Sequence, residues 1–429
     1  MSGVARLRFV LATAVVFVST DLLAAPGDLD TSFGTGGIAV IDFGGTETVS
    51  SAALDSQNRI ILVGSKNGDI LVARVKKNGV VDTSFGIDYD GDGTPDGYTL
   101  IDYGYNESGS KVLIDSSDRI YIVGTTDQFG FNTSIVARLL ADGTPDATFA
   151  SDWSLSGFNF QCAYTTGSSG AFDASGNLYT LGTVAVPGAV SGGSFSAVDP
   201  NGNLSYASCS EMHPSVGADR GSAGTVVQSD GKPIFVGTSS NDIYVARAQA
   251  LSQYLDPGFG TNGISIVSHL AIGSAQPQNV LQAWGMSIDK NPASTHYDKP
   301  VVVGSVDTNI LVMRFDTNGA LDSTFNSNGY RDIDFGGAEN GKAVALDNNG
   351  RIVVAGESDN GSIALARVKK NGRLDTGFGP NGDGKVLTSP SLGVINVADL
   401  VINSQGKILV VGGAHTYTDI LLVRYLGGN

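Results

Sequence analysis

The chain has little from which to build a familiar catalytic centre. Among its 429 residues are only four histidines (His213, His269, His296, His415) and two cysteines (Cys162, Cys209). The histidines share no register, and none stands in a His-x-x-x-His or Cys/His metal spacing. No Gly-x-Ser-x-Gly elbow occurs, and no helical pattern follows the glycines, which excludes a phosphate-binding loop. Charged residues make up 16% of the chain. With no helical period in the repeated segments, that argues against coiled coil and long helices. Basic residues are scarce too. The formal net charge is −16, and Lys76-Lys77 and Lys369-Lys370 are the only short basic pairs. Such a chain repels phosphate, so nucleic acid is not an expected partner.

Long apolar runs are also missing, with one exception at the start. Arg6 and Arg8 precede an apolar stretch from Phe9 to Val18, followed by Ala24 and Ala25. This reads as a secretory signal peptide over residues 1–25, too short for the ~20 residues of a spanning helix. Its removal takes away Arg6, Arg8 and Asp21 and leaves a formal charge of −17. The expected product is a monomer without membrane anchor, exported to the periplasm or the extracellular space. Two cysteines suit an oxidising compartment. Whether Cys162 and Cys209 bond stays open, because sequence does not supply their separation.

What the chain does have is glycine, 58 residues of it, and a repeat. A unit of roughly 58 residues recurs seven times, with a glycine closing each buried run at Gly64, Gly124, Gly182, Gly237, Gly304, Gly356 and Gly412. Units that cannot bury their faces alone must stack, so residues 26–429 read as a single domain. Each unit holds four short strands, and the second (Ile60 to Val63 in the first unit) is apolar without alternation, as in a sheet covered on both faces. The spacing predicts an all-β, seven-bladed β-propeller of four-stranded antiparallel blades. Its ends complement each other: the chain opens with an outermost strand before Phe43 and closes after a third strand at Tyr425. The N-terminal strand is therefore expected to complete the last blade.

Two residue types repeat in concert. An arginine ends the third strand as Arg74, Arg138, Arg247, Arg314, Arg367 and Arg424, and a corner aspartate recurs as Asp30, Asp82, Asp146, Asp256, Asp322 and Asp375. The third unit lacks both, with Ala197 and Ser205 in their places. Joint loss marks Arg and Asp as structural partners. Closure of the ring then pairs Arg424 with Asp30. The corner phenylalanines (Phe33, Phe85, Phe149, Phe259, Phe325, Phe378) read as core wedges.

The phrase Gly-x-x-Asp-x-x-Phe-Gly, with Leu-Asp, Val-Gly and Ala-Arg blocks, resembles the delta-60 repeat of bacterial exported β-propellers across residues 27 to 429. The match is good in units one, two, six and seven, fair in four and five, and poor in three, where Ser208 replaces the corner phenylalanine. The resemblance implies a propeller and assigns no catalytic residue.

Chemistry is concentrated in two places. The second corner reads Asp88-Tyr89-Asp90-Gly91-Asp92-Gly93-Thr94-Pro95-Asp96, the spacing of a calcium loop: acids at 1, 3 and 5, glycine at 6, a carbonyl from Thr94 at 7 and an acid at 9. Position 12 is Thr99, where a bidentate Glu would stand. Asp88, Asp90, Asp92, Thr94 and Asp96 are thus expected Ca²⁺ ligands, of weak affinity. Seventeen residues before the closing glycine stand Glu47, Glu107, Arg220 and Glu339 in four units. They are expected at one mouth of the channel, where converging polar groups bind a ligand. No nucleophile–base set accompanies them. The sequence therefore points to a non-enzymatic exported scaffold that binds a protein or glycan through its loops, with a propeller lyase or hydrolase using the mouth acids as the alternative.

Overall fold

The second strand of each repeat is apolar throughout because both of its faces are covered. In the computed structural model, which describes residues 24–128, 132–149, 165–184, 192–208, 219–239, 241–269, 271–272, 281–390, 392, 395–414 and 418–428, the first blade consists of strands A to D: Glu47–Leu54, Ile60–Lys66, Asp69–Val75 and Tyr98–Ile101. In strand B, Ile60 and Leu62 pack against Leu409 and Val411 of blade 7. Ile61 and Val63 pack against Ile120 and Ile122 of blade 2. Successive side chains of a strand point to opposite faces, so a blade wedged between two neighbours needs an apolar residue at every position.

Six antiparallel sheets have four strands, and blade 2 shows three (Glu107–Ile114, Ile120–Thr126, Thr133–Leu139) among the described residues. None of the described residues is helical, and no helix is long and apolar enough to cross a membrane. Ring closure follows the sequence expectation. Blade 7 comprises Asn396–Ile402, Ile408–Ala414 and Asp419–Tyr425, and its outer strand is Ile38–Ile41, with Ile38 opposite Val423 and Ile41 opposite Ile420.

The arginines and aspartates meet as pairs. Arg74–Asp82, Arg138–Asp146, Arg247–Asp256, Arg314–Asp322, Arg367–Asp375 and Arg424–Asp30 lie 2.7 to 2.9 Å apart. Each guanidinium also lies over its corner phenylalanine, 4.4 to 4.8 Å from the ring centroid. Its remaining N–H groups reach the next blade: Arg74 donates to Ala141 O at 2.8 Å, Arg138 to Pro200 O at 2.6 Å, and Arg424, across the seam, to Lys77 O. The third blade substitutes apolar contact. Buried Ala197 faces Tyr206, whose ring packs edge-on against Phe195, and Phe195 lies 5.0 Å from Phe235 of blade 4.

The closing glycines have a second origin. In every blade strand A carries a bulge opposite this glycine, and in six of the seven the A backbone presses onto strand B there; at Gly237 the Tyr244 ring occupies the space. A Cβ at Gly64 would lie 1.9 Å from Thr48 O, and at Gly412 1.8 Å from Asn396 O, so no other residue fits. Strand A also extends two residues ahead of its first buried apolar residue, Val49. There Glu47 pairs in register with Lys66.

Asp30→Ala removes the partner of a buried arginine and leaves Lys407, 2.7 Å from the same carboxylate, unpaired as well. Stability should fall by about 3–5 kcal/mol in guanidinium titrations, and an unchanged midpoint would refute the seam pairing. A pH signature accompanies it. Burial pushes Asp30 up, but Lys407, Ser32 and Arg424 outweigh it and hold the carboxyl at about 2. Its unfolded value is about 3.9, so its contribution is complete above roughly pH 4 and lost as pH falls through about 2. Asp30→Ala should flatten the wild-type loss of stability across that window.

Candidate functional site

The bulges that require the glycines also build the axial channel. A bulge leaves one extra residue unpaired in the ladder, and the seven extra residues are Ser50, Ser110, Ser168, Ala223, Trp284, Lys342 and Ala398. All seven line one cavity of about 510 Å³, bounded by the A strands of every blade. Six of them stand fourteen residues before the closing glycine; Trp284 stands twenty before, because the A–B connection of its blade carries an insertion. That constant offset was available in the sequence, but only the register shows that it marks a channel.

The ionisable side chains among the described lining residues are Lys111, Lys342 and Asp399. Asp399 is fully engaged: Lys111 Nζ lies 3.0 Å from Oδ2, Ser51 Oγ donates to it at 2.7 Å and the Ala52 amide at 3.2 Å, and the Leu400 amide donates to Oδ1. Lys342 lies over Trp284, 3.7 Å from the ring centroid, with Glu357 3.9 Å away. The indole itself is 40% exposed. The site therefore combines an open aromatic surface, five serine hydroxyls and balanced charge, a composition suited to neutral polar ligands.

The acids expected at the mouth lie elsewhere. Glu47, Glu107 and Glu339 are buried at blade joints, none lines the channel, and they do not converge. Because strand A starts at the glutamate, its backbone belongs to the ladder, and its N–H donates to the preceding blade: Glu47 to Thr418 O, Glu107 to Gly68 O and Glu339 to Thr308 O. Glu107 borders a depression of about 420 Å³ against blade 3 that shares Ser110 and Ser168 with the channel. In blade 4 the register sets Asp219, not Arg220, opposite Ser239 where Glu47 faces Lys66; Arg220 falls in a register shift, and its side chain lies outside the described residues. Cys162 and Cys209 also lie outside them.

The acidic corner keeps part of its expected ligand set. Asp88, Asp90 and Asp96 each offer an oxygen within 4.8 Å of the others. The loop is held by its own amides: Gly91 and Gly93 donate to Asp88, Tyr89 to Asp96 and Asp92 to Asp90, at 2.7 to 3.0 Å. Tyr89 stacks on Tyr98 at 5.1 Å and its hydroxyl accepts from the Leu100 amide, which fastens the loop to strand D. Asp92 stands outside the trio. Its Oδ1 accepts from the Thr94 hydroxyl at 2.6 Å and the Thr94 amide at 2.8 Å, bonds that hold its carboxyl below the usual range. Thr99, at position 12, is buried and donates to Gly143 O at 2.7 Å.

A family model described as "Domain of unknown function (DUF5122) beta-propeller" matches residues 116–149, 299–325 and 348–378. Each matched segment ends on a corner phenylalanine and contains one Arg–Asp pair. No curated protein matches the sequence. Among solved structures, the chain is similar to a virginiamycin B lyase from Staphylococcus aureus determined with quinupristin, at 10% identity over 91% of this chain and 99% of that one, with a TM-score of 0.52. A streptogramin B lyase is similar at 10% identity over 90% of this chain and 96% of that one, TM-score 0.52. At such identities the likeness is one of fold: the family model describes a β-propeller, and the seven sheets of this chain make it a seven-bladed one.

Proposed function

We propose that this protein is an exported, non-enzymatic propeller of delta-60 type that binds a glycan in its axial channel. The observation that carries the reading is the ring of bulged residues, which brings exposed Trp284 and the hydroxyls of Ser50, Ser110 and Ser168 to one cavity. An indole face suits the C–H face of a sugar ring, and the hydroxyls and the Lys111–Asp399 pair suit its hydroxyl groups. The enzyme alternative loses its support with the placement of Glu47, Glu107 and Glu339 at separate joints. Asp399, the one acid among the described channel-lining residues, is committed to Lys111, Ser51 and backbone amides rather than poised as a base. Export rests on the basic and apolar character of residues 6–18. N-terminal sequencing of protein recovered outside the cytoplasm tests that part.

The acidic corner is proposed as a weak calcium loop, with Asp88, Asp90, Asp96 and the Thr94 carbonyl as ligands and Asp92 as the fourth acid. Lacking a bidentate Glu, it should bind with a Kd on the order of 10⁻⁴ to 10⁻³ M.

On a glycan array the purified protein should retain a restricted set of neutral oligosaccharides, and Trp284→Ala should weaken the best of them by roughly tenfold or more. No retained glycan, or equal binding by the variant, would defeat the channel reading. In calorimetry, Asp90→Asn should lose the calcium heat of the corner loop, whereas traces that superimpose on the wild type would remove the loop from consideration.

A further inference from the structure

Glu47, Glu107 and Glu339 hold one place in three blades, and each meets a different neighbour. At the joint of blades 7 and 1, Lys66 stands opposite Glu47, its ammonium 3.1 Å from Oε1 and also donating to the carbonyls of Phe43, at 2.8 Å, and Gly44. Asp42 and Asp419 offer oxygens within 4.8 Å of that carboxylate. A fixed cation thus meets Glu47 and two carbonyls where three acids gather. The joint of blades 5 and 6 takes another course. Glu339 turns its oxygens onto the amides of Phe335 and Gly337, at 3.1 and 3.0 Å, and neutral Asn309 begins strand C where Asp419 does in blade 7 and Asp69 in blade 1.

At the joint of blades 1 and 2 the three acids are present without the lysine. Asp69, Asp102 and Glu107 each offer an oxygen within 4.8 Å of the others. Thr126 stands opposite Glu107 as Lys66 stands opposite Glu47. The Thr126 hydroxyl donates to Oε1 at 3.0 Å, but Oε2 is buried with no hydrogen-bond partner, in a residue only 3% exposed. Glu47 Oε2 is also unpartnered, yet there Lys66 supplies the opposing charge. A buried carboxylate with two acidic neighbours is costly unless a cation joins it.

We propose that Asp69, Asp102 and Glu107 form a cation site at the joint of blades 1 and 2, taking a hard divalent ion of the calcium class in the place that Lys66 fills one joint earlier. The donors are all oxygen and come from three separate segments, which suits the variable six- to eightfold oxygen coordination of calcium better than the strict octahedron of magnesium or a soft-ligand metal. The ion ties strand C of blade 1 to the D–A connection and strand A of blade 2, acting as a clamp between blades. This site shares no residue with the corner loop.

The experiment uses protein carrying Asp88→Asn and Asp90→Asn, which silences the corner loop. Calcium at a hundredfold excess over Kd should raise its Tm by roughly 3 °C, and calorimetry should show one saturable site. Glu107→Gln should abolish both responses. Thr126→Lys should abolish them too, while its Tm in chelator rises above that of the parent, because an ammonium then takes the place of the ion. No calcium response in the loop-silenced protein would overturn the proposal, as would an undiminished response in folded Thr126→Lys. Asp69→Asn, at a partly exposed position, provides the loss-of-site test if either buried substitution prevents folding.

Discussion

The ring depends on a contact made six times among the described residues: an arginine at the end of strand C that pairs with the aspartate of its own corner, covers the corner phenylalanine and donates to a carbonyl of the next blade. A guanidinium can do all three at once because its donors fan out in one plane while its face remains free for an aromatic ring. Lysine, whose donors all sit on one compact ammonium, could not make all three contacts at once. The contact also explains why Arg and Asp vanish together from the third blade. A buried arginine without its carboxylate is worse than no arginine, and packed aromatics around Ala197 and Tyr206 are an adequate substitute. At the seam the same contact joins residues 394 positions apart, Arg424 and Asp30, and makes closure specific rather than merely apolar.

With the corners and strands B and C committed to holding blades together, freedom to vary falls to two regions. One is the bulge of strand A. Its extra residue has no ladder partner and points toward the axis, so serine, tryptophan, lysine or alanine is tolerated there without disturbing a neighbour. The other is the joint where strand A begins. There a glutamate shared by three blades is answered by a lysine, by backbone amides, or by a threonine beside two more acids. Variation at these positions changes what the molecule can bind while leaving the ring intact, which is why chemistry accumulates there.

The corner loop of blade 1 shows the same division. Its glycines and aspartates make turns that the chain would need anyway, and Asp92 serves its own turn through Thr94 rather than facing the trio. Tyr89, unremarked in the spacing, anchors the loop by stacking on Tyr98.

Periodicity explains how much was legible beforehand. Blade number, the antiparallel order, closure by the N-terminal strand and the Arg–Asp partnership all follow from features that recur, since a repeated residue must meet a repeated neighbour. The position of Glu47, Glu107 and Glu339 did not follow. Their constant offset was visible, but their direction depends on strand A starting two residues ahead of its first buried apolar residue and then bulging, and one added residue reverses the face of every side chain beyond it. Trp284 was hidden for the related reason that an insertion displaced it from the common offset. By itself the sequence determined the ring and the contacts that close it. Tertiary structure alone decided which side chains enter the channel and which are buried at the joints, because that choice is made by backbone register and not by residue type.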